Sequence, residues 1–340
     1  MADLRFVEAG RDRADQIREL LEVSHPGNPK AEPGVVEWQY YSNPFGPTHT
    51  MIALDGDRIV GHLTSYSLPI TMGTESVTAA TRVDAATHAA YRRRGIYTAL
   101  MTALGEACRA DGAAFLLTTP NPHSAGPARA IGFTEIAEPR LFVLPVKGDW
   151  IRRMTGLPSI VARATTAWMS RSLPTEGARP VAAVPEGIDG LATRLWGDDL
   201  VGVRPDHQWW QWRFAEHPGD PYEFYETRKD GALEGALVLR RVIRRDQPAL
   251  QIVDALALSP EAARSLVGCA LADAPESGAV IAVGAGGGPF VRFLSRVGLR
   301  RVPRRIRGRR GLLGMVPLAV GAERVAPFTW AVSGGVFDFT

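Results

Sequence analysis

Arg82-Val-Asp84-Ala-Ala-Thr87-His88-Ala-Ala-Tyr91-Arg92-Arg93-Arg94-Gly95-Ile96-Tyr97-Thr98 is the stretch where the chain changes period. Up to Thr87 it reads as a strand; beyond Gly95 the apolar residues Ile96, Leu100, Ala103, Leu104 and Ala107 return at helical spacing. The first N–H groups of a helix lack partners and lie at the positive end of its dipole, which makes a strand-to-helix turn of this kind a ready pyrophosphate site. Gly95 lets a phosphate come close to the backbone, and the three arginines add charge at the rim. Taken alone, the same turn also serves as a solvated basic loop that starts a helix.

Outward from this turn, the first half reads as strand 3–8, helix 12–23, hairpin 49–70, strand 78–87, helix 95–111, strand 114–119, helix 124–131 and strand 133–146. The apolar run Ala113–Thr119, bounded by Gly112 and Pro120, has the character of a buried central strand. The order then recurs as hairpin 222–243, strand 249–257, helix 260–273, strand 279–284 and helix 289–297. Matching residues mark the recurrence. Trp38-Gln-Tyr40-Tyr-Ser-Asn43-Pro44 answers Trp212-Arg-Phe214-Ala-Glu-His217-Pro218, and each is followed by an Asp-Gly hairpin turn, at Asp55-Gly56 and Asp230-Gly231. Ile131-Gly132-Phe133 likewise answers Val297-Gly298-Leu299. Three matches in one order predict a tandem duplication: residues 1–147, a linker 148–185 with a basic amphipathic helix, and a second copy over 186–340.

The turn resembles the acyl-CoA-binding segment of the GNAT superfamily of N-acyltransferases, whose pattern is Arg/Gln-x-x-Gly-x-Gly/Ala after a strand. Arg92, Gly95 and Tyr97 occupy the three positions, Tyr97 being bulky where Gly or Ala is usual. Thr87-His88 stand where that family's strand splays, and Asn121-Pro-His123-Ser124 followed by Arg129-Ala-Ile-Gly132-Phe133 is similar to its second cofactor segment. The resemblance covers residues 3–146 and reaches the second half only through the repeat. It implies an α/β fold with mixed sheets, two tandem GNAT-like domains of which only the first keeps the cofactor site, and acetyl-CoA or another acyl-CoA as co-substrate with no metal. The residues it assigns to the cofactor are Ala85, Ala86, Thr87, Arg92, Arg93, Arg94, Gly95, Ile96, Tyr97, Thr98, Asn121 and Ser124. In the second half the strand Gln251–Leu258 meets Ser259-Pro260 with neither the glycine nor the arginines, so that half is expected to be degenerate.

Acyl transfer from a thioester needs a neutral amine, N–H groups for the oxyanion and a proton for the leaving thiolate. The strand end at Ala86-Thr87 supplies N–H groups. The family often places a tyrosine four residues before the glycine of the Gly-Phe pair, but Ala128 stands here. That leaves Tyr97, Ser124, His123 or an unassisted thiolate. Asp84 is the first choice for base, because strand alternation puts it on the face of Ala86; Glu37 and His88 stand behind it. The catalytic set is therefore Asp84, His123 and Tyr97. Structural alternatives stand beside these readings: Asp84 as a cap or an arginine partner, His88 as a surface loop residue, and Trp38 and Trp212 as core anchors.

Composition narrows the partners. Arg/Lys number 39 against 36 Asp/Glu, a net charge of +3 that does not by itself argue for nucleic acid. Seven arginines nevertheless fall between Arg300 and Arg310, which makes an aminoacyl-tRNA-dependent transferase the alternative to an enzyme acting on a small-molecule amine; a non-catalytic CoA-binding protein is the third reading. Two cysteines make neither a disulfide framework nor the usual zinc site, and no apolar run long enough to span a membrane occurs. A cytoplasmic protein is expected. Gly284-Ala-Gly286-Gly287-Gly288-Pro289 fails the dinucleotide spacing and reads as a turn into a helix.

Overall fold

The computed structural model describes residues 4–27, 31–120, 125–130, 132–155, 173–219, 221–244, 246–303, 312–319 and 322–336. In chain order the elements are β1 Arg5–Glu8, α1 Ala14–Ser24, a π turn Glu37–Tyr41, β2 Thr48–Asp55, β3 Arg58–Met72, β4 Glu75–Thr87, α2 Ile96–Ala110, β5 Phe115–Thr118, α3 Ala125–Ala130, β6 Thr134–Ala137, β7 Arg140–Pro145 and α4 Gly148–Thr155. The second half adds β8 Ala178–Val181, α5 Ile188–Leu195, β9 Leu200–Val203, a helical turn His207–Trp210 running into a second π turn Gln211–Ala215, β10 Glu223–Lys229, β11 Ala232–Arg244, β12 Gln247–Ala257, α6 Pro260–Asp273, β13 Ala279–Gly286, α7 Gly288–Val297, β14 Arg300–Arg301, β15 Leu313–Pro317 and β16 Thr329–Val332. The hairpins and the long helices α1, α2 and α6 lie within a few residues of where periodicity puts them. The single strand expected over 133–146 is two strands, β6 and β7, separated at Glu138-Pro139, where proline lacks the N–H a continuous ladder needs. Residues 156–172, which carry most of the expected linker helix, lie outside the described residues.

The chain forms two compact units that are not continuous segments: Met1–Ile136 with Glu216–Gly219 and Leu312–Pro327, and Ala137–Ala215 with Asp220–Gly311 and Phe328–Thr340. In the first, β1, β2, β3 and β4 follow one another antiparallel, β5 joins β4 in parallel, and β15 lies antiparallel between β5 and β6. Ile96, Leu100, Met101 and Leu104 of α2 pack on one face with Val60, Leu63 and Ala80. Ile17, Leu20 and Leu21 of α1 pack on the other with Tyr40, Ile52, Ile59 and Ala86. In the second unit β8, β10, β11 and β12 run antiparallel, β13 joins β12 in parallel, and β7 lies along β13. Each unit thus contains a late strand contributed by the other repeat's stretch of chain.

Candidate active site

Site geometry begins with a pair of strands that separate. β5 pairs with β4 at Ala80–Leu116 and Thr81–Leu117. β5 then ends at Thr118 while β4 continues to Thr87. Among the described residues, the edge of β4 from Arg82 onward therefore faces no strand, and its backbone groups are available to something else. The parting comes upstream of Thr87-His88, where the resemblance put it.

On its other edge β4 carries a bulge. The β3 register passes from His62–Ala86 to Thr64–Val83, leaving Asp84 and Ala85 opposite Leu63, and Asp84 takes a left-handed φ of 54°. Val83 and Ala86 both pack on the α1 side, whereas Ala85 packs on the α2 side. Asp84 turns toward the α1 side, where the Tyr40 hydroxyl donates to its Oδ2 at 2.8 Å. Asp84 and Ala86 do share a face, then, but the bulge ends simple alternation just before them.

A buried polar chain holds the bulge. His62 Nδ1 is 2.9 Å from the Asp84 carbonyl, which can only accept, so Nδ1 carries the proton and Nε2 accepts from Thr64 Oγ1 at 2.7 Å. Thr50 Oγ1 continues the chain, 3.1 Å from Thr64 Oγ1. Burial pushes the His62 pKa down to about 4, against the pull of Asp84, so the ring is neutral.

Past Thr87 the backbone passes through Arg93 at φ 63° and Gly95 at φ 75°, and Gly95 is the N-cap of α2 with no side chain capping the helix. A Cβ built on Gly95 would meet nothing within 4 Å, so the space before the helix end is open. Left-handed turns of this kind gather N–H groups into anion-binding concavities. Arg92, Arg93 and Arg94 are exposed around it; Arg92 Nε reaches the Thr87 carbonyl at 3.4 Å, and the Arg94 guanidinium lies 5.0 Å from the Tyr91 ring centre. Ile96 is a core residue packed against Gly61, so only its backbone faces the concavity, and Thr98 is exposed.

Tyr97 is half-buried, its hydroxyl is buried without a partner among the described residues, and the Arg82 guanidinium lies 5.8 Å from its ring centre. Burial raises its pKa, against the pull of Arg82, and keeps it protonated. Among the second-choice bases, Glu37 pairs with Arg11 at 2.8 Å, and His88 Nε2 is 3.0 Å from Arg58 while its Nδ1 accepts from Ala90. Ala128 is buried in α3. Asn121, His123 and Ser124 lie outside the described residues. Sequence reasoning assigned no role to Tyr40 or Arg82; the aromatic two places after the repeated tryptophan, and the lone cation of the strand Glu75–Thr87, were the available signals.

Residues 6–135 match the family model of the acetyltransferase (GNAT) domain. This part of the chain is a GNAT domain. No curated protein matches the sequence. Among solved structures the chain is similar to an Enterococcus faecalis V583 protein described as a probable N-acyltransferase, at 14% identity and TM-score 0.67 over 95% of this chain and 74% of that one. It is also similar to a GCN5-related N-acetyltransferase from Anabaena variabilis ATCC 29413, at 13% identity and TM-score 0.66 over 94% and 74%. A tandem GNAT protein from the clavulanic acid biosynthesis pathway matches at 17% identity and TM-score 0.57 over 93% and 99%. At these identities the likeness is one of fold, and the fold is that of tandem GNAT proteins.

The counterpart junction in the second repeat is closed. Ser259 caps α6 by accepting from the Ala262 N–H at 3.1 Å, with Pro260 at the first turn. The Arg296 Nη1 fills the end of β12, donating to the carbonyls of Ala257 at 2.6 Å and Leu258 at 3.1 Å. Among the described residues, β12 also runs on past its last pair with β13 at Ile252, but Arg296 occupies its end and Ser259 caps the helix that follows, whereas α2 starts on a glycine with no side-chain cap. Of the Arg300–Arg310 cluster, Arg300 and Arg301 are exposed on β14 and Arg304–Arg310 lie outside the described residues.

Proposed function

We propose that the GNAT domain transfers an acyl group from acetyl-CoA or another acyl-CoA to a primary amine on a small molecule, in the cytoplasm. The observation that carries this reading is the continuous path from the open β4 edge, Arg82–Thr87, to the uncapped, glycine-started helix α2. An extended pantetheine fits an orphaned strand edge, and a pyrophosphate fits the Arg93–Gly95 concavity with three arginines at its rim. The second repeat, over 186–340, has Arg296 on the end of β12 and a capped α6, and is proposed to bind no CoA.

In the reaction a C–N bond forms and the C–S bond breaks. Backbone N–H groups of the open edge around Ala85, Ala86 and Thr87 hold the developing oxyanion. The Asp84 carboxylate, fixed by Tyr40, takes the amine proton directly or through a water. Tyr97, protonated and buried, is the described hydroxyl best placed to return a proton to the thiolate, in the role Ala128 cannot fill; His123 is the alternative.

Calorimetry with acetyl-CoA is expected to give one site per chain, and amine-dependent release of free thiol is expected with a panel of primary amines. Two sites per chain would refute the assignment of the second repeat; binding without turnover of any amine would favour a CoA-binding protein.

A further inference from the structure

Arg82 is a cation with unused valence. It stands on β4 at the first position after β5 departs, and its Nε donates to Thr118 Oγ1, at the end of β5, at 2.7 Å. A guanidinium has five N–H groups; the four on its terminal nitrogens have no acceptor, and no carboxylate forms an ion pair with it, among the described residues. Burial pulls its pKa down, against the pull of Tyr97 and Asp84. Tyr97, beside it, has its own hydroxyl buried without a partner. Arg82 is half-buried, and a buried hydroxyl left unsatisfied beside it is costly.

The sheet position does not itself call for a cation. Gly61 pairs with Thr87 and Gly235 with Ala257, so the repeat's counterpart of Arg82, five places before the paired residue, is Ile252. Ile252 is fully buried and pairs with Ala282 of β13. Where the strands stay together the position is apolar; where they part it is an arginine.

We propose that Arg82, with Thr118 and Tyr97, forms a subsite for a carboxylate carried by one of the two substrates. The inference rests on the acyl-CoA reading of the same gap. A carboxylate matches the planar fork of the terminal nitrogens in a way that a phosphate-free acyl chain does not. It comes either from the donor, as the far end of a dicarboxylic acyl group, or from the acceptor, as an amino acid.

Binding and turnover distinguish the sources. Acetyl-CoA, butyryl-CoA and succinyl-CoA are titrated into the wild-type chain and into Arg82→Met, the last two esters having the same carbon count and differing in the terminal carboxylate. If the donor brings the carboxylate, succinyl-CoA binds at least about tenfold more tightly than butyryl-CoA, and Arg82→Met levels the two. If the acceptor brings it, the esters are not distinguished, but with acetyl-CoA as donor amino acids exceed their carboxamides in kcat/KM by about tenfold or more, a preference lost in Arg82→Met and partly kept in Arg82→Lys. Wild-type protein that favours the carboxylate in neither pair overturns the proposal, as does a preference that survives in a folded Arg82→Met. Should Arg82→Met not melt cooperatively, the wild-type comparison and Arg82→Lys decide. Failure of all three esters to bind wild type sinks the acyl-CoA reading itself, and this inference with it.

Discussion

A chain ended after Lys147 is expected not to fold, although it contains the whole GNAT domain match. The cut removes β15, which pairs with β5 through Gly314–Thr118, Met315–Leu117, Val316–Leu116 and Pro317–Phe115. Leu313 is 0% exposed, and Met315, Val316 and Leu318 are each 7% exposed. Burial of side chains of this size contributes about 1.5–3 kcal/mol apiece, so the strand supplies on the order of 6–12 kcal/mol. That matches the whole stability margin of a typical domain, about 5–15 kcal/mol. Its loss also bares the edge of β5, whose four residues are all buried, and frees the Ala114 carbonyl that accepts from Leu318 and Ala319. The truncated chain should show no cooperative melt and no protected amides in β5. Fusing residues 312–327 to 1–136 through a flexible linker should restore both. A 1–147 chain that melts cooperatively near the full-length temperature and binds acetyl-CoA would refute the argument.

Gly95→Asp places a carboxylate at the concavity and strains a backbone at φ 75°; the strain costs about 1–2 kcal/mol, and acetyl-CoA affinity is expected to fall by about thirtyfold or more in calorimetry, while Gly95→Asn, which tolerates the left-handed region, should lose far less. Asp84→Asn keeps the shape and removes the basicity, so kcat/KM at neutral pH should drop by roughly 10²-fold with acetyl-CoA affinity unchanged; an unaltered pH–rate profile would move the base elsewhere. His62, lowered from 6.5 to about 4, binds its proton less readily folded than unfolded, so its contribution, about 3 kcal/mol, is present above pH 6.5 and lost as pH falls to 4; His62→Gln should flatten the acid limb of the melting curve against pH. Asp254, raised from 3.8 to about 7 by burial, has the opposite sign: its contribution, on the order of 4 kcal/mol, is present below pH 3.8 and lost as pH rises through 7, so a melting temperature insensitive to Asp254→Asn at pH 8–9 would contradict its burial as a neutral acid.

Much of this architecture was legible because it is local. The helical spacing of Ile96, Leu100 and Leu104, the Asp-Gly turns, and a glycine at a strand-to-helix junction are all short-range signals, and the GNAT resemblance rests on them. The bulge at Asp84 was not legible, since a left-handed aspartate in an extended run leaves no mark on the alternation until the register is known. Nor was the exchange of strands. The Leu313–Pro317 segment reads as an apolar strand anywhere it is placed, and nothing in its composition names β5 as the neighbour; Gly314 answers to β6 instead, because a side chain there would collide with Phe133 and the Thr134 carbonyl. Arg82 escaped notice for a related reason, as its meaning depends on where β5 ends.

The two repeats show what separates an open site from a sealed one on a shared skeleton. Both carry a tryptophan on a π turn, a register slip in the central hairpin, and an aspartate three places before the residue paired with the first glycine of β3 or β11. In each an aromatic donor holds that aspartate: the Tyr40 hydroxyl at 2.8 Å from Asp84, the Trp210 Nε1 at 3.2 Å from Asp254. The aspartate position is shared, but the donors are not equivalent, since Tyr40 answers Phe214 and Trp210 answers Val36; holding an aspartate there is not by itself catalysis. What differs is the surroundings. Asp254 is 2% exposed, takes a second bond from the Ala255 N–H at 3.0 Å, and lies just past the last pair of its strand with β13, at Ile252; burial raises its pKa to about 7. Asp84 is half-buried on a strand whose edge is open from Arg82. On the base assignment proposed above, the first repeat puts chemistry on a carboxylate position that the second repeat keeps buried. Re-pairing the strands there, by Arg82→Ile, should then reduce turnover through weakened acyl-CoA binding while leaving the Tyr40–Asp84 hydrogen bond in place.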